Sequence, residues 1–365
     1  MTNSTWMLRR ASGFTGRMIA EEAIRRGHHP ILAGRSAARI RPLAEALHLP
    51  WRAADLASPA ALQEALQGVD AVLLAASPFQ QTAPALVQAC LETGTSYADI
   101  ANEIPHFRLL KQHDRAARQR GIAFVPGVGF GVVATNCLAR SVAERLPDAT
   151  ELHCAHHIAS ARSSAGATAT GFEIIRGGGY VIRQGQYRRY RLGRGARPVR
   201  FADAERVASP IPLGDLAAAE MATAIPNITM YSTALPTGAA GLALPLIRRL
   251  LAIPAFRQRM SRPSSKQPKE AAEQTPPHSQ AWAWGRNAAG QEVTLWLSTG
   301  DGYAFTAVSS VLAMERILDG SVVGVLPPAA AFGADFALAV PHTQRFTSLE
   351  EMSQATVSLS NGAQA

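Results

Sequence analysis

Apolar positions along the first third of the chain alternate between two periods. Trp6-Met7-Leu8 is a short apolar run, and Gly16–Arg26 follows with Met18, Ile19, Ala23 and Ile24 on one helical stripe. Gly27 is placed as a helix-terminating glycine. The same alternation repeats as strands at His29–Ala33, Trp51–Ala54, Ala71–Ala76, Tyr97–Ile100 and Ile122–Val125. Helices are expected between them at Ala37–Leu47, Pro59–Leu66, Pro84–Thr93 and Phe107–Arg120, the first with Ser36 as its N-cap. Ala71–Ala76 (AVLLAA) is apolar throughout, as expected of a strand covered on both faces. Strands and helices in strict alternation on short loops predict a parallel sheet.

Beyond Pro126 the pattern changes. A helix is expected at Thr135–Arg145 and strands within 151–159, 180–192 and 197–202, with a helix at Gly166–Ile175. Residues 258–280 are rich in Pro, Ser, Gln and charge and read as a mobile loop. Trp282–Thr299 reads as a hairpin turning near Asn287–Gly290, and Phe305–Leu318 as a long helix. The fold class is therefore α/β: an N-terminal Rossmann-type parallel sheet over 1–125, completed by residues returning within 327–350. A second α+β domain spans 126–326.

The chemistry concentrates after the first strand. Ser12, Gly13, Phe14, Thr15 and Gly16 lie in a glycine turn between a strand and a helix, the order a dinucleotide-binding unit requires. Gly13 lets the backbone approach a diphosphate, Gly16 lets the helix pack on the strand, and the helix N-terminus offers free N–H groups. The first glycine of the fingerprint is replaced by Arg10. An arginine there either blocks the diphosphate or turns and pairs with it. After the second strand an NAD site carries an acid. Here Gly34, Arg35 and Ser36 stand instead, and a guanidinium suits a 2'-phosphate. NADP is thus expected over NAD. Asp55 is placed as an adenine-side contact, and Ala76 and Pro78 as the border of the ribose and nicotinamide.

Four of these segments, with the loops they occupy, resemble the saccharopine dehydrogenase-like family of NAD(P)-binding proteins, in particular its shorter branch with the trans-acting enoyl reductases. They are ASGFTGR at Ala11–Arg17, LAGRS at Leu32–Ser36, YADIANE at Tyr97–Glu103 and VPGVGFG at Val125–Gly131. Ile211–Tyr231 and Tyr303–Phe336 are similar too, so the resemblance runs along nearly the whole chain. It implies a Rossmann domain, a second domain that mediates dimerisation, and oxidoreductase chemistry on saccharopine-type or lipid-linked enoyl substrates. The chain departs from the pattern at Arg9, Arg10, Asn102, Gly131 and Asn136.

Hydride transfer needs a proton donor beside the nicotinamide. Tyr97, Glu103 and His106, on the loop after a sheet strand, are the catalytic candidates; Asp99 and Tyr97 equally suit a structural role, and Glu103 a helix cap. His156 and His157 point to opposite faces of a strand, so one of them faces a cleft or the surface.

Charge narrows the picture only slightly. The net charge is +9, and 33 of the 36 basic residues are arginine. Seven arginines lie between Arg183 and Arg200, interleaved with tyrosines. Without a nucleic-acid-reading module they suit a solvated strand or an anionic acyl carrier better than nucleic acid. Cys90, Cys137 and Cys154 are isolated and suit buried thiols in a reducing compartment, with no metal site. No apolar run is long enough for a membrane span. Leu242–Ala255 is apolar enough to cover a lipid tunnel or touch a membrane surface. The expectation is a soluble, cytoplasmic, homodimeric NADP-dependent oxidoreductase, peripheral to a membrane at most. The alternative is a non-catalytic interaction or nucleotide-sensing protein whose site Arg10 impairs.

Overall fold

The computed structural model describes residues 4–158, 175, 177–201, 203–234, 247, 249, 250, 253, 278–352 and 354. The helix expected at Gly166–Ile175, the loop at 258–280 and the apolar stretch Leu242–Ala255 lie largely outside them.

The N-terminal alternation folds as β1 (Trp6–Arg9), α1 (Phe14–Arg25), β2 (Ile31–Gly34), α2 (Ala37–Ala46), β3 (Trp51–Ala53), α3 (Pro59–Leu66), β4 (Ala71–Leu74), α4 (Phe79–Thr93), β5 (Ser96–Asp99), α5 (Ile104–Gln112), α6 (Asp114–Arg120) and β6 (Ala123–Val125). The expected helix at 107–120 is two helices meeting at His113. Asp114 opens the second and spends its carboxylate on the Val325 N–H and on Arg118.

The chain continues as α7 (Phe130–Arg145), β7 (Ala149–His157), β8 (Gly179–Arg183), β9 (Gln186–Tyr190), β10 (Arg197–Arg200), β11 (Glu205–Pro210), α8 (Gly214–Thr223), β12 (Asn227–Ser232), β13 (Ser279–Asn287), β14 (Glu292–Thr299), α9 (Gly302–Leu318), β15 (Gly324–Val325), α10 (Pro328–Phe332) and β16 (Gln344–Phe346). The arginine-rich segment includes the antiparallel hairpin β8–β9, with Arg189 over the Tyr180 ring.

Two helices begin five residues earlier than local sequence predicts, for one reason. At α4 the Phe79 and Gln80 N–H groups donate to the Glu103 carboxylate, each at 3.2 Å. At α7 the Phe130 N–H donates to Thr306 Oγ1 on α9 at 3.1 Å. Both caps come from elsewhere in the chain, so the unpaired donors of the first turn are met without a local signal.

The first sheet is wholly parallel in the order β15-β6-β5-β4-β1-β2-β3. Its last strand is Gly324–Val325, which lies ahead of the 327–350 segment expected to return to this sheet. The second sheet runs β10-β11-β12-β7-β13-β14-β16 with β8 attached to β12 and β9 to β8, and β12–β7 is a parallel pair inside it. Strand alternation splits the first sheet's side chains between two cores. Met7, Val72, Leu74, Tyr97 and Phe124 pack under α3 and α4. Trp6, Leu8 and Leu73 face α1 and α9 in a core that continues through α7 to the inner face of the second sheet, at Leu152, Cys154, Met230 and Leu295. That shared core fixes the two sheets relative to each other. Glu315 adds a polar tie, accepting two hydrogen bonds from Arg26 at 2.8 Å. The three cysteines are buried and unpaired. Among the described residues, no helix is long and apolar enough to cross a membrane.

His153 on β7 sits against Trp284 and Tyr231, with Arg197 Nη1 2.9 Å from its Nδ1. Burial, and secondarily Arg197 and Arg183 acting against Glu151, hold it down to about 4. The unfolded chain binds a proton there near the ordinary histidine value of about 6.5, and the folded one does not until lower pH. Stability is therefore lost as pH falls from about 6.5 toward 4. His153→Gln is expected to flatten that acid limb in chemical unfolding measured across the range.

Candidate functional site

The carboxyl edge of the first sheet is where a doubly wound fold binds its ligand, and the turn after β1 sits at its centre. Arg10 takes φ +65°, the left-handed region that favours glycine. Its N–H donates to the Ala33 carbonyl at 2.7 Å, and its carbonyl accepts the Gly13 N–H at 3.2 Å. The tight turn therefore survives the loss of its first glycine. A Cβ on Gly16 would stand 2.4 Å from the Arg10 carbonyl oxygen, so Gly16 is held to glycine by direct backbone contact. No side chain caps α1, and no acid stands in its first turn. Its free N–H groups face the edge, as a bound diphosphate requires.

The Arg10 side chain lies across this turn. Its Cγ and Nε pass within 3.9 Å of where a Gly13 Cβ would stand, and Nη1 makes a long, 3.4 Å hydrogen bond to the Ser77 carbonyl beyond β4. A guanidinium thus spans the sequence-predicted groove, between the turn at Ser12–Gly16 and the β4 edge at Ala76 and Pro78. Phe14 is 43% exposed and meets Tyr303 of α9 edge-on, with centroids 5.1 Å apart. Ser12 is exposed and Thr15 half-buried; Ala76 is buried and Pro78 half-buried.

At the end of β2, Arg35 is exposed and no acid stands between Gly34 and Arg39. Ser36 occupies the N-cap position of α2 but makes no side-chain cap. Asp55 is exposed at the end of β3 and accepts the Ala57 N–H. Beside it lies a feature that residue type alone did not reveal. Arg9 is buried, donates to the Ala54 carbonyl at 2.7 Å, and leaves Nη1 without a partner. Burial, partly opposed by Asp55, lowers it to about 10.

The catalytic candidates separate. Tyr97 and His106 are fully enclosed. Burial, reinforced by the Asp99 carboxylate, pushes the Tyr97 phenol well above the ordinary tyrosine value. His106 Nε2 lies 2.5 Å from Asp99 Oδ2, while Asp99 Oδ1 accepts the N–H groups of Ala101 and Gly127. This cluster ties the loop after β5 to the loop after β6. Glu103 caps α4 rather than the helix it precedes. It also borders a hollow of about 390 Å³ between α5 and the β8–β9 hairpin, with Gln80, Arg108, Tyr180, Tyr187 and Pro212.

A second polar group meets this edge from the other sheet. Asn102 Oδ1 accepts the Asp215 N–H at 3.0 Å, and Asp215 faces His156 at the end of β7. Of the two neighbouring histidines, His156 points inward to Asp215, while His157 is half-exposed and bonds Thr233. Asn136 is buried and accepts the Ala329 N–H at 2.8 Å, fastening α10 to α7. Residue-type reasoning did not single out Asp215. The visible signal was the leucine-glycine-aspartate opening of a helix at Leu213–Asp215. No group of three or more His, Cys, Asp or Glu suited to a metal occurs among the described residues.

Residues 11–98 match the family model described as NAD(P)H-binding. The human saccharopine dehydrogenase-like oxidoreductase is 32% identical over 141 residues, 33% of this chain and 33% of that protein. The trans-acting enoyl reductase of Mycobacterium ulcerans (strain Agy99) is 28% identical over 134 residues, 34% of this chain and 32% of that protein. The chain thus matches about a third of the length of these curated relatives. Across 95% of this chain and 100% of the other, the fold is similar to apo saccharopine dehydrogenase (L-Glu forming) from Saccharomyces cerevisiae, with a TM-score of 0.62 and 13% identity. The overall fold is thus similar to that of this dehydrogenase, and the N-terminal part matches an NAD(P)H-binding domain.

Two substitutions check this geometry. Arg10→Gly removes a left-handed arginine and is expected to raise stability by about 1 kcal/mol in denaturant titration. Asp99→Asn leaves His106 and two loop N–H groups poorly matched and is expected to cost about 3 kcal/mol in the same measurement.

Proposed function

We propose, from the chain's similarity to saccharopine dehydrogenase-like oxidoreductases and to the trans-acting enoyl reductases over about a third of its length, that it is an NADP-preferring oxidoreductase acting on an enoyl or related substrate that is lipid-linked. The observation that carries the cofactor preference is Arg35, an exposed guanidinium at the end of β2 with no carboxylate beside it. A 2'-phosphate matches that charge, whereas a free ribose hydroxyl pair would want an acceptor.

The residues present fit a dinucleotide. The uncapped N-terminus of α1 and the Gly13–Gly16 turn hold the diphosphate, Arg10 pairs with it once released from Ser77, and Asp55 borders the adenine. When bound, the dinucleotide supplies the hydride. Glu103, Arg108 and the tyrosines of the 390 Å³ hollow shape the substrate side next to the β4 edge. The resemblance to the saccharopine dehydrogenase-like family is the ground for reading the chain as a homodimer, and the three buried, unpaired cysteines suit a cytoplasmic setting. The enoyl class follows the mycobacterial relative, a trans-acting enoyl reductase.

The second reading is a nucleotide-sensing or interaction protein with an impaired site, and the position of Arg10 over Gly13 favours it. Calorimetric titration with NADPH and NADH separates the two. The oxidoreductase reading expects NADPH to bind more tightly than NADH, and Arg35→Ala to weaken NADPH alone by about tenfold or more. Binding that emerges only in Arg10→Gly supports the second reading.

A further inference from the structure

Ser232 ends β12 and His156 stands next to the last residue of β7. The two are register partners on a parallel pair, so both side chains emerge on one face at the same strand ends. His156 Nε2 lies 3.3 Å from Ser232 Oγ. His156 Nδ1 lies 3.5 Å from Asp215 Oδ2, at the opening of α8. Ser232 is 1% exposed, His156 4% and Asp215 0%. Serine, imidazole and carboxylate thus stand in line, and Asn102 links the carboxylate end to the loop after β5.

Two features set this line apart from ordinary core polarity. His156 Nδ1 and Asp215 Oδ1 are buried without hydrogen-bond partners. Asp215 Oδ2 has only long contacts, to His156 and to Thr135 Oγ1 at 3.5 Å. A carboxylate enclosed this loosely is unfavourable unless a cation or a transferable proton shares its site. The start of α8 favours its negative charge, because the first-turn N–H groups lie there. Cys154 and His157 are the other titratable side chains near His156 on its own strand, while β12, β13 and α7 contribute the neutral Ser232, Ala281 and Thr135.

The geometry points to an acid–base relay, Asp215–His156–Ser232, with Ser232 as the group that gives a proton to the substrate. This assignment rests on the oxidoreductase reading and names its proton donor. Ser232 Oγ already accepts the Ala234 N–H at 3.2 Å. With His156 neutral and its hydrogen on Nδ1 toward Asp215, the serine O–H points at Nε2. With His156 protonated, Nε2–H donates to Oγ and frees the serine O–H to point at a ligand. Reduction of an enoyl group takes a hydride from reduced nicotinamide at one carbon and a proton at its neighbour. The O–H bond of Ser232 breaks as the substrate C–H bond forms, the serine oxygen takes the Nε2 proton, and neutral His156 is reprotonated from water. Electrons and protons balance with NADPH as the reductant. Ser232 is the catalytic residue of this relay; His156 and Asp215 act through it.

The test uses the full chain with 15N-labelled histidine, observed by NMR at mildly alkaline pH. The His156 ring, assigned by its loss in His156→Gln, is expected to carry hydrogen on Nδ1. Asp215→Asn should shift that Nδ1 signal, and Ser232→Ala the Nε2 signal. A ring protonated on Nε2 alone, or indifferent to Asp215→Asn, overturns the relay. In the second arm, with saturating NADPH and crotonyl-coenzyme A as the probe, Ser232→Ala, His156→Gln and Asp215→Asn should each lower kcat about 100-fold or more. NADPH affinity should be unchanged, and Ser232→Thr should restore much of the rate. Near wild-type kcat in the three variants overturns the proton role. A wild-type chain that fails to bind NADPH or to turn over the probe counts against the oxidoreductase reading instead, and the tautomer measurement then decides the relay alone.

Discussion

The Asp99 carboxylate holds the edge of the first sheet together. It is fully enclosed, takes the N–H groups of Ala101 and Gly127 on one oxygen, and meets His106 on the other. Its carbonyl accepts the Val128 N–H at 2.7 Å. Two loops that would otherwise bury unpaired backbone are thereby satisfied at one point. Everything along the rim hangs from them. Glu103 is carried to the start of α4, Asn102 to the start of α8, and the chain from Gly127 to Gly131 is aimed into α7. A buried charge matched by this many donors specifies one arrangement of the loops.

The turn after β1 shows how far a fold tolerates a changed residue when the backbone demand stays. The turn needs a left-handed residue, and Arg10 supplies it at a cost of about 1 kcal/mol or somewhat more. What changes is the occupant of the groove. A glycine leaves the phosphate cradle empty of side chain, whereas Arg10 spans it toward Ser77. Arg9, one residue earlier, adds a second guanidinium, buried beside Ala54. The chain has moved positive charge into a place where the helix N-terminus already favours an anion.

The second sheet contributes more than a wall. Its parallel pair β7–β12 ends beside Asp215, whose N–H meets Asn102 of the loop after β5, and a core shared through α7 and α9 joins the two sheets. A parallel pair inside a largely antiparallel sheet brings His156 and Ser232 out at one level. The neighbouring antiparallel strand β13 places Ala281 beside His156. Asp215, from α8, completes the line.

Local sequence was enough for the alternation of β1 to β6, the glycine turn and the missing acid after β2, because those depend on side-chain period and on backbone conformations few residues adopt. It reached the hairpin β13–β14 and the helix α9 for the same reason. It did not reach the true starts of α4 and α7, whose caps, Glu103 and Thr306, lie 24 and 176 residues away. The sequence-level choice of Tyr97 and His106 as reactive groups rested on their loop position. Burial encloses both, and only the packed structure could show it. Ser232, His156 and Asp215 are far apart in the chain and carry no motif. Their alignment was decided by strand register and by the docking of α8, long-range contacts that no local pattern encodes.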